Sequence, residues 1–487
     1  MKLLKDIIYG VRIMEIKGDT NIAIDNVSFD SRTINGLSLF VAVKGSVVDG
    51  HDYISKAEGK GACGIICETL PEELKSNVTY IKVSDSSDAL SVIASNFYDN
   101  PSEEIKLVGV TGTNGKTTSV SLLYDLFRLL GYKTGLISTV NIKINHKVFP
   151  ATHTTPDSLS INKFLREMIN QGCTHVFMEV SSHALDQNRT KGLFFDVAVF
   201  TNISRDHLDY HPTYDHYIDS KKKLFDSLKY SSHAIVNFDD QHGATICHDT
   251  NAKIHSYGIK GDRDFRAKML ENDISGLTVE IDGLEMVSRL IGEFNIYNLL
   301  VTYSVAKCLG EDPMTILTIL SNLKAPEGRF QYFISSTKIT TVVDYAHTPD
   351  ALENVLKTLV SLKKGNEKIL TVFGCGGDRD KGKRPIMGGI AVNYSDHVII
   401  TSDNPRNEDP ELINQEVFSG VSPDQESKVL TITDRKEAIK VACTMAKSGD
   451  ILLIAGKGHE KYQIMGDEKL HFDDLETTIE IFKKIKK

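Results

Sequence analysis

No run of about 18 apolar residues occurs anywhere in the 487-residue chain, so the sequence offers no membrane-spanning helix. Tandem repeats and low-complexity tracts are also missing, which removes solenoid and fibrous architectures. Positive charge is in short supply: the formal net charge is -9, without the broad cationic face that nucleic acid requires, and nucleic acid is not an expected partner. Cysteines number 7, an odd count scattered singly apart from Cys63 and Cys67. That pattern suits neither a disulfide framework nor paired zinc ligands, and it points to a reducing, cytoplasmic setting. The opening MKLLKDIIYGVRI is broken by Asp6, Gly10 and Arg12 well short of a signal-peptide core, and reads as a small amphipathic helix.

What is present is ordinary soluble-enzyme composition, 41% hydrophobic and 25% charged. The length allows two to four domains at roughly 100 to 200 residues each, and the pattern favours three, over 1–98, 99–331 and 332–487. The first segment carries short β-rich runs, IAIDNVSFDSR, LFVAVKG, GACGIIC and VTYIKV, separated by turn residues, as in a small α/β domain. After Asn100-Pro101-Ser102 the chain changes to strands alternating with helices: IKLVGV, THVFMEV, DVAVFTNIS and HAIVNF, then a β-rich stretch and a helix near Asn295 to Leu309. This predicts an α/β fold with a central parallel-sheet domain. EGRFQYF near residue 330 marks a hinge, beyond which TTVVDYAHT, KILTVFGCGGDRD, HVIITSDNPR and GDILLIAGKGHE each end in polar residues. In a Rossmann-like sheet such strand ends form the binding surface.

GVTGTNGKTT follows an apolar strand and opens a helix predicted over about Thr117 to Leu130, with Gly131 as its stop. It departs from the usual phosphate-loop pattern because Val110 stands where the first glycine belongs. The physical requirements are nevertheless met: Gly112 and Gly115 admit close backbone approach to phosphate, the helix N-terminus favours anions, Lys116 adds a charge, and Thr117 offers a hydroxyl to Mg²⁺. Glu179 and His207 follow two further strands, where a carboxylate and an imidazole suit a second metal position beside the phosphates. On residue type alone, His207 more often makes a simple hydrogen bond. Lys221, in HYIDSKKKLF, reads as part of a solvated basic run, and an ammonium has no lone pair for a metal.

TGTNGKTT, MEVSSHALDQNR, TNISRDHLDYH, DYAHTPDAL, FGCGGDRDKGKRP and AGKGHE, in this order and spacing, resemble the Mur ligase family of ATP-dependent peptidoglycan precursor ligases, over nearly the whole chain. The resemblance implies an N-terminal domain for the UDP end of the substrate, a central ATPase domain and a C-terminal domain for the incoming amino acid. It implies ATP bound by Gly112, Thr113, Asn114, Gly115, Lys116, Thr117 and Thr118, with Asn295, Arg329 and Asp344 as further nucleotide contacts. It implies Mg²⁺ held by Thr117, Glu179 and His207, and aligns Lys221 with a lysine that CO₂ converts to a metal-ligating carbamate, reversing the reading from residue type. Ser31, Thr154, Thr155, Ser181, Gln187 and Arg189 match positions that bind the nucleotide-sugar substrate. Without the family, Thr154 and Thr155 serve equally well as a helix N-cap before DSLSINKFL.

DNPR at 403–406 is a good turn as bare residues. At a strand end its arginine can instead pair with a carboxylate, which diaminopimelate has at its distal end and lysine lacks. The resemblance places Asp403, Asn404, Pro405 and Arg406 at the substrate, with Asn404 and Arg406 making contacts, Arg379 sharing the carboxylate, and Gly456 and Glu460 taking the distal amine through a carbonyl and a carboxylate. The expected reaction joins meso-2,6-diaminopimelate to UDP-N-acetylmuramoyl-L-alanyl-D-glutamate through an acyl phosphate, in a cytoplasmic enzyme expected to act as a monomer. An L-lysine-adding relative and, more remotely, a phosphate-loop switch or motor are the alternatives.

Overall fold

The computed structural model describes residues 1–45 and 48–487. Three sheets organise them into a three-domain α/β architecture.

The first sheet has five strands in the order Ile13–Lys17, Thr79–Val83, Ala62–Cys67, Ser38–Val41 and Asn26–Ser28. All pairings are parallel except that of the edge strand Ile13–Lys17. The expected N-terminal amphipathic helix shrinks to one turn, Leu4–Ile7. Gly10, at φ 78°, turns the chain away so that IMEIK can pair with Thr79–Val83; gaining a ladder outweighs extending a helix of so few apolar residues. The helix Ser86–Phe97, capped by the Asp85 carboxylate on the Asp88 N–H, covers this sheet and touches the next unit. There the Ser87, Ser91 and Ser95 hydroxyls donate to the carbonyls of Gln187, Asn188 and Gly192.

The central sheet has eleven strands. Its middle is parallel, with Thr134–Ile137, His175–Glu179, Lys106–Thr111, Val197–Phe200, His233–Asn237 and Lys253–Gly258 side by side. Both edges differ from the purely parallel expectation, because hairpins extend them antiparallel: Asn141–Ile144 with Lys147–Pro150 on one side, Gly276–Ile281 with Leu284–Ser288 on the other. The second hairpin turns at Asp282-Gly283, both at positive φ (49° and 81°), a two-residue turn whose twist matches the strands. Apolar clusters cover both faces of the sheet, one built around the helices Lys116–Leu129 and Phe294–Cys308 and the other around Ser158–Asn170 and Tyr214–Asp226. The near-continuous apolar strands follow from this double burial.

The third sheet runs Gln331–Ile334, Thr340–Asp344, Ile451–Ala455, Ile369–Phe373, His397–Ile400, Val429–Thr431, parallel except for the first pair. Phe330, at φ 46°, bends the chain into it, and its N–H donates to the Asp344 carboxylate at 2.6 Å.

Candidate functional site

The strand Lys106–Thr111 lies between His175–Glu179 and Val197–Phe200, so the three carboxyl ends deliver the phosphate loop, Glu179 and the segment leading to His207 to one edge of the sheet. They open on a cleft of about 790 Å³ that continues to the C-terminal unit. Gly112 to Thr118, Thr154, Glu179, Ser181, His207, Lys221, Asn295, Arg329 and Asp344 all line it.

Glycine is obligatory twice in the loop. A Cβ at Gly112 (φ +148°) would fall 1.9 Å from Thr201 Oγ1, and one at Gly115 (φ +86°) 2.7 Å from Asn298 Oδ1. The helix Lys116–Leu129 starts immediately after, presenting free N–H groups to the cleft. Lys116 Nζ donates to the carbonyls of Gly112 and Thr113, at 2.8 and 2.9 Å. Thr117 Oγ1 accepts from the Arg329 guanidinium at 2.9 Å, and Asn114 donates to Asp350 at 2.7 Å, so Arg329 and the C-terminal unit's Asp350 together grip the loop. The Arg329 guanidinium also stacks on Tyr345, 4.5 Å from the ring centre.

Glu179 is fixed by Thr139, whose N–H and hydroxyl donate to its two oxygens at 2.8 and 3.1 Å. Its carboxylate is thereby oriented at the loop mouth. His207 sits at φ 54°, with its N–H on the Asp206 carboxylate. Burial pushes its imidazole down to about 3, against the pull of Asp206. At neutral pH the ring is therefore neutral, the form that ligates metal. Burial works to raise the Asp206 carboxyl, but His207, His347 and Lys383 outweigh it and hold the group well below its usual range.

Lys221 is not a solvated residue. It is 1% exposed, on the inner face of the helix Tyr214–Asp226, with Nζ on the Gly112 carbonyl at 2.9 Å and 4.5 Å from the centre of the Tyr217 ring. The run KKK misleads because a helix turns successive residues about 100° apart, and Lys222 and Lys223 take the outward ion pairs. Burial, reinforced by the Lys116 charge, lowers the Lys221 ammonium well below the ordinary lysine range.

The residues expected for the nucleotide sugar divide into two places. Thr154, Thr155, Ser181, Gln187 and Arg189 form one network: Thr154 accepts from Thr139, Thr155 Oγ1 donates to the Glu179 carbonyl, the Ser181 N–H donates to Thr155, and Arg189 donates to Gln187 and the Thr155 carbonyl. The N-cap of the helix Ser158–Asn170 is Asp157, which frees both threonines from that duty. Ser31 stands apart, buried in the N-terminal unit and outside the cleft lining.

At the third sheet, the ends of the adjacent strands Ile451–Ala455, Ile369–Phe373 and His397–Ile400 gather the remaining residues. Asn404 Nδ2 donates to Glu460 at 2.8 Å, while its Oδ1 accepts from Lys457 and the Ile464 N–H. Arg406, at φ 51°, donates to the Gly377 carbonyl at 2.7 Å, joining the DNPR and GGDRD loops. Arg379 lies on the outer side of the second loop, its guanidinium on the Asp378 carbonyl. Pro405 closes over Gly377, where a Cβ would lie 1.9 Å from the Pro405 carbonyl oxygen. Gly456 needs its φ of +111° and its missing side chain, since a Cβ would meet Asp403 Oδ2 at 2.6 Å. That Asp403 oxygen is buried and has no hydrogen-bond partner among the described residues, and burial together with Asp403 raises the Glu460 carboxyl. Two carboxyls are thus crowded together here, with the buried Lys457 ammonium 3.4 Å from Glu460.

Residue types alone missed Thr139, Asp350, Asn298 and Tyr345. Asp350 and Tyr345 stand inside the quoted motif DYAHTPDAL, whereas Thr139 carries no local signal. Arg205 of the central unit reaches Asp380 of the GGDRD loop at 3.2 Å, a second bridge between the units.

Residues 110–306 match the Mur ligase middle domain, 328–458 the Mur ligase glutamate ligase domain, and 23–98 the Mur ligase family catalytic domain. The chain belongs to the Mur ligase family. Among its relatives, the UDP-N-acetylmuramoyl-L-alanyl-D-glutamate--2,6-diaminopimelate ligase of Cytophaga hutchinsonii is 53% identical over 472 residues, 97% of each chain. The ligase of the same name from Phocaeicola vulgatus is 48% identical over 99% of each. A solved structure of a ligase of that name superposes with a TM-score of 0.70 at 32% identity, covering 100% of this chain and 99% of that one. The MurF ligase of Thermotoga maritima, solved with ADP, shares the fold at 20% identity and a TM-score of 0.64, covering 96% of this chain and 99% of that one.

Proposed function

We propose that the protein is an ATP-dependent ligase that joins meso-2,6-diaminopimelate to UDP-N-acetylmuramoyl-L-alanyl-D-glutamate, releasing ADP and phosphate, as a step of peptidoglycan precursor synthesis in the cytoplasm. The observation that carries this reading is the pairing of a phosphate loop with an amino-acid cradle across one hinge, tied by Asn114–Asp350 and Arg205–Asp380. Strong identity along the full chain to diaminopimelate ligases supports the choice of substrate.

The loop N–H groups and Lys116 hold the ATP phosphates, with Asn295, Arg329 and Asp344 around the rest of the nucleotide. The D-glutamate side-chain carboxylate attacks the γ-phosphorus, ADP leaves, and an acyl phosphate forms. Lys116 neutralises charge that builds on the transferring group. The amine of diaminopimelate then attacks the acyl carbon, phosphate departs, and the amine loses a proton as the amide forms. Asp403 and Glu460 hold the distal ammonium, with the Gly456 backbone beside it, while Asn404, Arg379 and Arg406 take the distal carboxylate. Closure of the C-terminal unit over the loop excludes water from the acyl phosphate.

The donor set at the loop mouth fits a hard divalent cation: the Thr117 hydroxyl and Glu179 carboxylate for one Mg²⁺, the neutral His207 imidazole for a second. Bound there, Mg²⁺ supplies charge neutralisation of the phosphates. Lys221 suits carbamylation, because burial lowers its ammonium and so favours the free amine that attacks CO₂, giving a carbamate and a released proton, and its position on Gly112 puts the new oxygens beside the same cleft. Thr154, Thr155, Ser181, Gln187 and Arg189 bind the nucleotide-sugar peptide, with Ser31 at the uridine end. One chain supplies every residue named, so the reading needs no second copy.

The test is phosphate release from ATP with the nucleotide-sugar dipeptide and either meso-diaminopimelate or L-lysine, the product identified by mass. Release and a tripeptide only with diaminopimelate is expected, and Lys221→Ala and Lys221→Arg, neither able to form the carbamate, should both be severely impaired. Preference for lysine overturns the role of Arg406. Release indifferent to both amines points to a switch or motor, and full activity in either Lys221 variant removes the carbamate.

A further inference from the structure

On the face of the central sheet covered by the helix Phe294–Cys308, outside the cleft lining, two imidazoles and a thiol converge. His233 opens the strand His233–Asn237, and His255 lies in the parallel neighbour Lys253–Gly258. The register pairs His233 with Lys253 and Ile235 with His255, so the two histidines lie diagonally on one face by the two-residue repeat of a strand. Cys308 ends the helix Phe294–Cys308. His233 Nδ1 and His255 Nε2 are 2.9 Å apart, and one ligand atom from each of the three residues lies within 4.8 Å of the others.

We propose that His233, His255 and Cys308 form a binding site for a zinc-class transition-metal ion, separate from the nucleotide site and clamping the helix Phe294–Cys308 to the sheet.

The donor set decides the class of ion. Two imidazoles and a thiolate without a carboxylate are a borderline-soft site, suited to Zn²⁺ and unsuited to Mg²⁺ or Ca²⁺. Zinc bonds of about 2.0 Å to nitrogen and 2.3 Å to sulfur place tetrahedral ligands roughly 3.3 to 3.7 Å apart. The two nitrogens, at 2.9 Å, stand slightly closer than that and the sulfur lies within 4.8 Å of both, so side-chain rotation of half-buried groups suffices. Three protein ligands leave a fourth position for water.

The surroundings favour the ligand forms of the imidazoles. Burial first, with Lys253 beside both rings, and His233 in addition beside His255, holds both histidines below their ordinary range. Burial pushes the Cys308 thiol up to about 11, while Lys253 and Lys307 pull it down. Asp196 and Asp264 are the acidic groups that bear on the histidines, and Lys106 faces His233. Binding requires each ring to carry its proton on the other nitrogen and Cys308 to lose one, so one proton is released per ion. The helix runs 15 residues from Phe294 beside the nucleotide to Cys308, a span of about 20 Å at 1.5 Å per residue. A metal at its far end therefore adds stability without entering the chemistry.

The full-length protein, stripped of metal and free of nucleotide, is titrated with Co²⁺ and then Zn²⁺. The expected result is one equivalent of Co²⁺ giving a thiolate charge-transfer band, displaced by Zn²⁺, with a rise in Tm and release of one proton. Cys308→Ser should lose the band, and His233→Ala and His255→Ala should each weaken zinc binding at least tenfold, while ligase activity with Mg-ATP stays at the wild-type level in Cys308→Ser. Absence of a thiolate band in the wild-type protein overturns the proposal. So does equal zinc affinity in the wild type and all three variants, which would assign the ion to another site.

Discussion

Replacing Arg435 with methionine should uncouple the stability of the C-terminal unit from its binding geometry. Arg435 and Asp474 have fully buried side chains, and the guanidinium meets the carboxylate through two bonds of 2.8 and 2.7 Å. The same guanidinium donates to the Ala455 carbonyl at 3.0 Å and the Ser402 carbonyl at 3.4 Å, the positions just before Gly456 and Asp403. Removing one member of a buried ion pair strands the other charge, at a cost of about 3 to 5 kcal/mol. At roughly 2 to 4 °C per kcal/mol, that lowers the melting temperature of this unit by about 6 to 20 °C. Arg435→Met/Asp474→Leu removes both charges and should regain most of the loss, since an apolar pair of similar volume often replaces a buried ion pair without penalty. The two carbonyls remain unpartnered in the double variant, so its KM for the amino acid should stay raised while its KM for ATP is near normal. Urea unfolding and steady-state kinetics on the three proteins measure both effects. A single variant within about 1 kcal/mol of the parent, or a double variant as unstable as the single, refutes the reasoning.

Glu408 should act as a positioning residue for the amino-acid cradle: its carboxylate accepts from the Asp378 N–H at 2.6 Å, from Arg384 at 2.9 and 3.0 Å and from Lys381 at 3.1 Å, holding the GGDRD loop against the segment after DNPR. Glu408→Ala is expected to raise KM for diaminopimelate roughly tenfold, about 1.4 kcal/mol, with little change in KM for ATP; an unchanged KM for the amino acid would sink the assignment. His175, 9% exposed and packed against Phe127 and Tyr132, should contribute to acid sensitivity. Burial, aided by Lys106, lowers its imidazole to about 4, below the 6.5 of the free ring, so on acidification the unfolded chain takes up the proton first. Its stabilising share is complete above pH 6.5 and lost as pH falls towards 4, up to about 3 kcal/mol. His175→Phe should flatten that part of the acid limb in urea unfolding at a series of pH values, and an unaltered slope would contradict it.

The shape of the phosphate loop was legible in the sequence because it is local: a strand, two glycines and a helix start all fall within GVTGTNGKTT. The parallel centre of the main sheet was legible for the same reason, through alternating strand and helix patterns. The hairpin over 141–150 at one edge was not, unlike the β-rich stretch that forms the other, since an edge strand such as KVFP is short and exposed and carries little hydrophobic signal. Lys221 shows the limit most clearly. A three-lysine run looks solvated until helix phase is known, and only the packing of Tyr214–Asp226 on the loop turns that one ammonium inward. Thr139 was invisible because its value lies in tertiary contacts, with Glu179, 40 positions away, and with Thr154. Ser31 and the cleft likewise belong to different sheets, a relation that no local pattern encodes.

The phosphate loop is held from the C-terminal unit by Asp350 on Asn114 and from the connecting segment by Arg329 on Thr117, and the GGDRD loop is held in return by Arg205 on Asp380. This reciprocity limits how freely the amino-acid module can be exchanged. A graft that imports a different DNPR-type cradle to change specificity must carry Asp350 and Asp380 with it, or the new pocket will choose its substrate correctly while the nucleotide loop opposite loses its brace.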